Sequence, residues 1–469
     1  MAKDRLLIRG GTVITIDPSL GDFDRADVLV EDGKIVAVGP DLQVTDAELL
    51  DATDRIVLPG LVDTHRHTWQ ALFRNLASDW TLSHYFTGLH GTVSGLYRPE
   101  DTYAGNLIGT LEALDGGITT LLDWSHNLNT PEHADAAVTA LKESGARAIF
   151  AHGCGHRHWQ PVSHLPHDED VRRVREQWFS SDDQLVTLVL APRGNQFATL
   201  EVTERDWALA RELGIRISCH AGDGDWGRNR PVAALHERGL LGPDITFVHC
   251  NTLADDELEM MAANGVSASI SPDIELQMGH GFPATGRLIA AGIRPSLSID
   301  VCCSNGGHLF GTIRATIGTQ RGFDNAAAAA AGTPLVELKT TCRDALEFAT
   351  IEGARACGLD SKIGSLTPGK RADIILISTD NFGMTPMNNP IGAFVYNAHP
   401  GLVDAVIVDG TIVKRDGKLV GVDSARVRRL AVEARDDILR RAESANGIRI
   451  GGGWIPEPYV ATETGEEHA

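Results

Sequence analysis

The chain lacks what would tie it to a membrane, a nucleic acid or an oxidising compartment. No apolar run approaches the roughly 18 residues that a membrane span needs, and the N-terminal MAKDRLLIRGG has no long apolar core of a secretory leader. Basic side chains are in deficit: 42 Lys and Arg stand against 63 Asp and Glu, a net charge of -21. A surface of that sign repels phosphate backbones and anionic lipid, so neither nucleic acid nor membrane is expected and a small molecule is the expected partner. Cysteine is sparse and unpatterned. Its seven copies are an odd number without a C-x-x-C, and Cys219, Cys250 and Cys342 sit inside apolar segments, as reduced structural thiols of a cytoplasmic protein do. The adjacent Cys302 and Cys303 are assigned to packing, since neighbours in sequence rarely bridge each other.

What is present is the composition of an ordinary globular protein, 42% hydrophobic and 22% charged over 469 residues. Residues 6 to 57 are short β-type runs separated by turn residues, and a similar pattern returns in ADIILIST and VDAVIVDGTIVKRDGKLVG, where the Asp-Gly pairs signal hairpins. Between these β-rich ends, apolar strand-like runs alternate with amphipathic segments that finish in Gly. The strands are expected in GLVDTH, ITTLLDW, ARAIFAH, LVTLVLAP, IRISCH, ITFVH, VSASISP and IRPSLSID. Eight strands with intervening helices over about 300 residues close naturally as a (β/α)8 TIM-type barrel, an α/β fold. The expected division is 1–57 and 367–425 as two parts of a small β-sandwich domain, 58–366 as the barrel, and 426–469 as a C-terminal helix and mobile polar tail. The run AAAAAAG at 326–332 carries no functional weight and reads as helix or loop.

Barrel enzymes place their chemistry at the C-terminal ends of the strands. In order, those ends carry His65 and His67, Asp123, His152, His220, His249 and Asp300. In PGLVDTHRHTWQ the two histidines are separated by one residue, so on a strand they project from the same face. A lone histidine at a strand end is more often a hydrogen-bonded core residue than a ligand. Four histidines and an aspartate at one level of one barrel outweigh that. Three imidazoles and a carboxylate suit Zn²⁺ or another divalent first-row metal with an open water position, and a metal of this kind makes hydroxide available near neutral pH. Hydrolysis is the implied chemistry.

With these residues in place, the chain resembles the amidohydrolase superfamily, in the branch containing cytosine deaminase, 8-oxoguanine deaminase, S-adenosylhomocysteine deaminase and the triazine chlorohydrolases. The resemblance is carried by PGLVDTHRH, EALDGGITTLLD, ISCHAGDG, FVHCNTL, SLSIDVCCSN and ATIEGARACGLDSKIGSLTPGKRADIIL, which span nearly the whole chain. It implies that His65, His67, His220 and Asp300 bind one divalent ion, Zn²⁺ with Fe²⁺ as the alternative. It also implies that Asp300 relays a proton, that His249 stabilises charge, and that Gln70 holds the substrate ring. Arg193 ends the fourth strand, where other branches carry the lysine of a two-metal site. Where the branch has a glutamate three residues after the fifth-strand histidine, this chain has Asp223, shorter by about 1.5 Å. A displacement of about 1 Å can cost a hundredfold in rate, so Asp223 keeps the proton-shuttle role only if backbone or substrate shifts. Glu275 is the other candidate for that task, its alternative being a solvated loop charge. Trp69, Trp124, His126, His156 and His158 follow strand ends and, with Asn305, are candidates to line the substrate pocket, with loop packing as the alternative. The expected activity is deamination of an amidine-like carbon in a nitrogen heterocycle by a homo-oligomer, a dimer or larger. Hydrolysis of another C–N or C–Cl bond, or a non-catalytic binding role, are the alternatives.

Overall fold

The computed structural model describes residues 5–160 and 162–459. Five strands precede the barrel: β1 (Arg5–Val13), β2 (Phe23–Glu31), β3 (Lys34–Gly39), β4 (Glu48–Asp51) and β5 (Arg55–Pro59). The barrel strands are β6 (Leu61–Arg66), β7 (Ile118–Ser125), β8 (Arg147–His152), β9 (Val186–Leu190), β10 (Ile217–Ala221), β11 (Ile245–His249), β12 (Ser267–Ile270) and β13 (Ser296–Leu297). Four more follow: β14 (Ile374–Ser378), β15 (Val403–Val408), β16 (Thr411–Arg415) and β17 (Lys418–Leu419).

β6 to β13 pair in sequence order, and every pairing is parallel. Their continuous apolar character follows from burial on both faces. Between them run helices whose ends are written locally. Pro131–Ser144 starts on a proline and stops at Gly145 in the left-handed region, φ 77°, and Leu200–Glu212 is capped by the Thr199 hydroxyl. The last strand meets the first through side chain and backbone. Thr64 Oγ1 donates to the Leu297 carbonyl at 3.0 Å, Asp300 N–H to the His65 carbonyl at 3.0 Å, and His67 N–H to the Asp300 carbonyl at 2.9 Å. The β13 run is shorter than its apolar pattern, because Pro295 supplies no N–H to a ladder. Inside this seam, hydroxyls replace an apolar layer: Thr64 contacts Ser269 at 2.7 Å and Ser271 contacts Ser298 at 2.7 Å.

The two chain ends join in one nine-stranded mixed sheet, because β5 pairs antiparallel with β14 from Pro59–Ile374 to Arg55–Ser378. It surrounds its own apolar cluster of Leu6, Val28, Ile35, Val57, Ile374 and Leu376. The Asp-Gly pairs turn its hairpins as expected, with positive φ at both residues of Asp32-Gly33, Asp409-Gly410 and Asp416-Gly417. The alanine run extends the helix Leu309–Ala330. Helix Ser424–Asn446 returns over the helix Pro99–Asp115, and the segment after it reaches Trp80, whose indole N–H donates to the Trp454 carbonyl at 2.9 Å. The polar end of the chain, expected to be mobile, lies outside the described residues. Among those described, no helix is long and apolar enough to cross a membrane.

Candidate active site at the barrel mouth

His65 and His67 leave β6 on one face, as their spacing requires, and their Nε2 atoms come to 3.2 Å of each other. The Asp300 carboxylate lies 3.2 Å from the first and 3.3 Å from the second. The ligand atoms of His65, His67 and His220 fall within 4.8 Å of one another, as do those of His65, His249 and Asp300. His67 Nδ1 contacts the Trp124 carbonyl at 2.9 Å. A carbonyl only accepts, so the ring proton sits on Nδ1 and the Nε2 lone pair faces the cluster. Burial, then the neighbouring His67, lowers His65 to about 3, so that ring is neutral at physiological pH. Against the cost of burial, Asp300 is held well below the usual carboxylate range by the imidazoles of His65 and His67 beside it, and by His249. Lone pairs and a carboxylate converging at such distances repel unless a cation lies among them. Three imidazoles and one carboxylate fit a divalent first-row metal, zinc included.

The backbone is strained where it aims these groups. His249, Cys250 and Asp300 have φ of 77°, 60° and 59°, a region that non-glycine residues rarely enter outside sites where the surroundings enforce it. His249 Nδ1 donates to Glu275 Oε1 at 3.3 Å, leaving Nε2 facing Asp300 Oδ2 at 3.9 Å. Burial opposes charge on His249, but Glu275, Asp300 and Asp223 push it up to about 9. Glu275 is fully buried and also accepts from the Ser271 N–H at 2.7 Å. It is therefore no solvated loop charge, and it stands behind His249, not on the cavity wall.

Asp223 lies on the wall itself, 2% exposed. Gln196 donates to its carboxylate while accepting from the Gly222 N–H at 2.7 Å. Burial pushes Asp223 up, with His249 and Gln196 pulling back. Trp124, His126, His67, His220, His249 and Asp300 share the wall with Asp223. His126 stacks on His67 with ring centroids 3.9 Å apart and is held by the Trp69 indole N–H at 2.9 Å, so Trp69 acts through it. Gln70 likewise reaches the cavity only through Tyr85, donating to its hydroxyl at 2.6 Å. His156 is exposed beside Ser94, His158 is buried 3.3 Å from Asp168, and Asn305 is half-buried; none lines the cavity. Asp123 and His152, although they end strands, bond away from the cluster, to Asn106 at 2.7 Å and His167 at 2.9 Å.

Several wall residues carry no signal in the one-dimensional pattern. Tyr85, Phe86 and His90 come from the long connection after β6, Trp159 from the one after β8, and His280 from the one after β12. Phe86 and Phe197 meet Trp226 edge-on at 5.4 and 5.1 Å. His280 lies five residues after Glu275 and donates its backbone N–H to the Glu275 carbonyl at 3.1 Å.

The model of the amidohydrolase family matches residues 56–413. A 5-methylthioadenosine/S-adenosylhomocysteine deaminase of Symbiobacterium thermophilum is 31% identical over 88% of this chain and 94% of its own. A 5'-deoxyadenosine deaminase of Methanothermobacter thermautotrophicus is 29% identical over 93% and 100%. Among solved structures, an adenosine deaminase from Xanthomonas campestris with bound zinc superposes with a TM-score of 0.81 at 26% identity, over 92% of this chain and 98% of that one. An atrazine chlorohydrolase from Arthrobacter aurescens, complexed with zinc, gives 0.80, at 24% identity over 92% and 100%, a likeness of fold.

Proposed function

Because the chain belongs to the amidohydrolase family, we propose that it is a metal-dependent deaminase that releases ammonia from an amidine-like carbon of a nitrogen heterocycle, a purine or a related ring. One observation carries this reading: His65 and His67 meet His220 on one side and the Asp300 carboxylate on the other, beside an aromatic cavity whose wall holds Asp223 and His249. The deaminase names of the relatives support it.

His65, His67, His220 and Asp300 would hold the ion, Zn²⁺ in our reading with Fe²⁺ as the alternative. When bound, a divalent ion of this kind acidifies water and polarises the reacting carbon. Asp300 takes the proton of the attacking water and later delivers it to the departing amine. Asp223 protonates the ring nitrogen beside the attacked carbon. Its buried carboxyl holds a proton more readily than an exposed one, which suits a general acid. His249, fixed by Glu275, donates from Nε2 to the oxygen as negative charge develops there. In sum, water adds at carbon, the C–N bond breaks, and an oxo-heterocycle and ammonia leave.

The test is a screen of adenine nucleosides, aminopurines, aminopyrimidines and triazines for ammonia release, alongside elemental analysis of the purified protein. Ammonia from at least one aminoheterocycle, with about one zinc or iron per chain, is the expected result. A metal-free protein inert to every ring in the presence of added zinc and iron overturns the proposal.

A further inference from the structure

The cavity wall also carries a guanidinium that the reaction above leaves unused. Arg193, directly after β9, lines the cavity and is 7% exposed. Its planar group lies 4.6 Å from the ring centre of Trp159 and 5.2 Å from that of Phe197, which fixes its position. Nη2 donates to the carbonyls of Gln160 at 2.8 Å and Phe197 at 3.4 Å, while Nε is buried without a partner. Among the described residues no aspartate or glutamate pairs with it, and burial pulls it down to about 10, so it stays charged at neutral pH.

The other deep arginines are provided for. Arg66 has Glu112 at 2.8 Å and Asp63 at 3.5 Å, and Arg147 has Asp373 at 2.7 Å and Asp409 at 2.9 Å. A buried cation without a counter-charge is costly. Capping two carbonyls does not require one, because a neutral amide donor does the same. An arginine held in place between aromatic rings, with a free N–H and no acid, is what a cavity needs when the counter-charge arrives with the ligand.

We propose that Arg193 is the anion subsite of this cavity, and that the preferred ligand is a flat nitrogen heterocycle bearing an anionic oxygen, as a carboxylate or as a ring oxyanion. The inference rests on reading the cavity as the substrate site.

Binding to the metal-loaded protein at pH 7.5 tests it without turnover, by calorimetry with two pairs of probes. Nicotinate against nicotinamide reports a carboxylate, and urate against hypoxanthine a ring oxyanion. We expect the anion of at least one pair to bind about tenfold or more tightly than its neutral partner. That ratio should fall to near one in Arg193→Gln and survive in part in Arg193→Lys, with metal content unchanged in both. Which pair discriminates identifies the source of the negative oxygen. A ratio near one for both pairs in the wild type overturns the proposal, and that comparison needs no folded variant. A ratio retained in full by Arg193→Gln also overturns it, since the anion then sits on the metal. Anion preference without ammonia release from any aminoheterocycle would instead leave the subsite standing and remove the deaminase reading.

Discussion

Asp223 is the residue at which this chain departs from the branch it resembles, and the structure gives the short carboxylate a holder. Gln196 pins it against the loop that begins at Gly222, so its reach is set by a neighbour and not by side-chain length alone. That neighbour was not legible in the sequence, because Gln196 and Asp223 approach across two barrel connections and no spacing rule relates them. The pairing of His65 with His67 was legible for the opposite reason: alternation along a strand ties the two candidate ligands together without any tertiary knowledge. Asp223→Asn should lower turnover by roughly 10²–10⁴-fold while metal content holds, the range typical of a general acid-base group. Asp223→Glu should also impair turnover, since the longer acid displaces Gln196. Glu275→Gln should act differently. An amide oxygen still accepts from His249 Nδ1 but without charge, so the loss should be smaller and should track a weakened His249. Steady-state kinetics of the three variants decide between the two acids: near-normal turnover in Asp223→Asn with a collapse in Glu275→Gln reverses the assignment.

At the scale of elements, the eight barrel runs were recognisable because both faces of each strand are buried and the intervening helices carry their own stop signals. β13 was overestimated because an apolar pattern cannot register the hydrogen bond that Pro295 fails to donate. The polar seam of Thr64, Ser269, Ser271 and Ser298 escaped notice for a related cause, since hydroxyls that satisfy one another inside a barrel look in sequence like surface. The joint between barrel and terminal sheet was equally hidden. Arg147, at the start of β8, bonds both carboxylate oxygens of Asp373, at 2.7 and 3.0 Å, just ahead of β14, and also Asp409 in the β15–β16 turn. Removing one member of a buried pair strands the other's charge, which costs about 3–5 kcal/mol. Arg147→Ala should therefore lower the denaturation midpoint strongly while leaving metal content and turnover of the folded fraction near wild type, since the pair lies at the far end of the strands from the histidines. A midpoint equal to wild type would show that the two carboxylates are solvated and the joint is held by β5–β14 pairing alone.

For the whole molecule, the question is how far the fold depends on the ion its site fits. The barrel core, built around side chains such as Phe150, Trp207 and Phe247, is continuous from strand to strand and does not pass through the histidine cluster. Chelation should accordingly leave the secondary structure intact, unlike small domains whose folding is driven by the metal. The site should still register as stability, because an ion bound by the folded state alone adds RT ln(1 + [M]/Kd). For a free metal concentration about a hundredfold above Kd that is about 2.7 kcal/mol. Part of the difference should appear even without excess metal, since withdrawing the cation leaves the Nε2 atoms of His65 and His67 facing each other and Asp300 across 3.2–3.3 Å. Calorimetric melting of the chelated protein, followed by titration with zinc, should give an unchanged far-UV spectrum and a melting temperature that climbs with the logarithm of metal concentration. His65→Ala with His67→Ala should melt near the chelated value and ignore added zinc. If the double variant instead climbs with zinc as the wild type does, the stabilising ion sits elsewhere and the cluster at the barrel mouth loses its claim to be the metal centre.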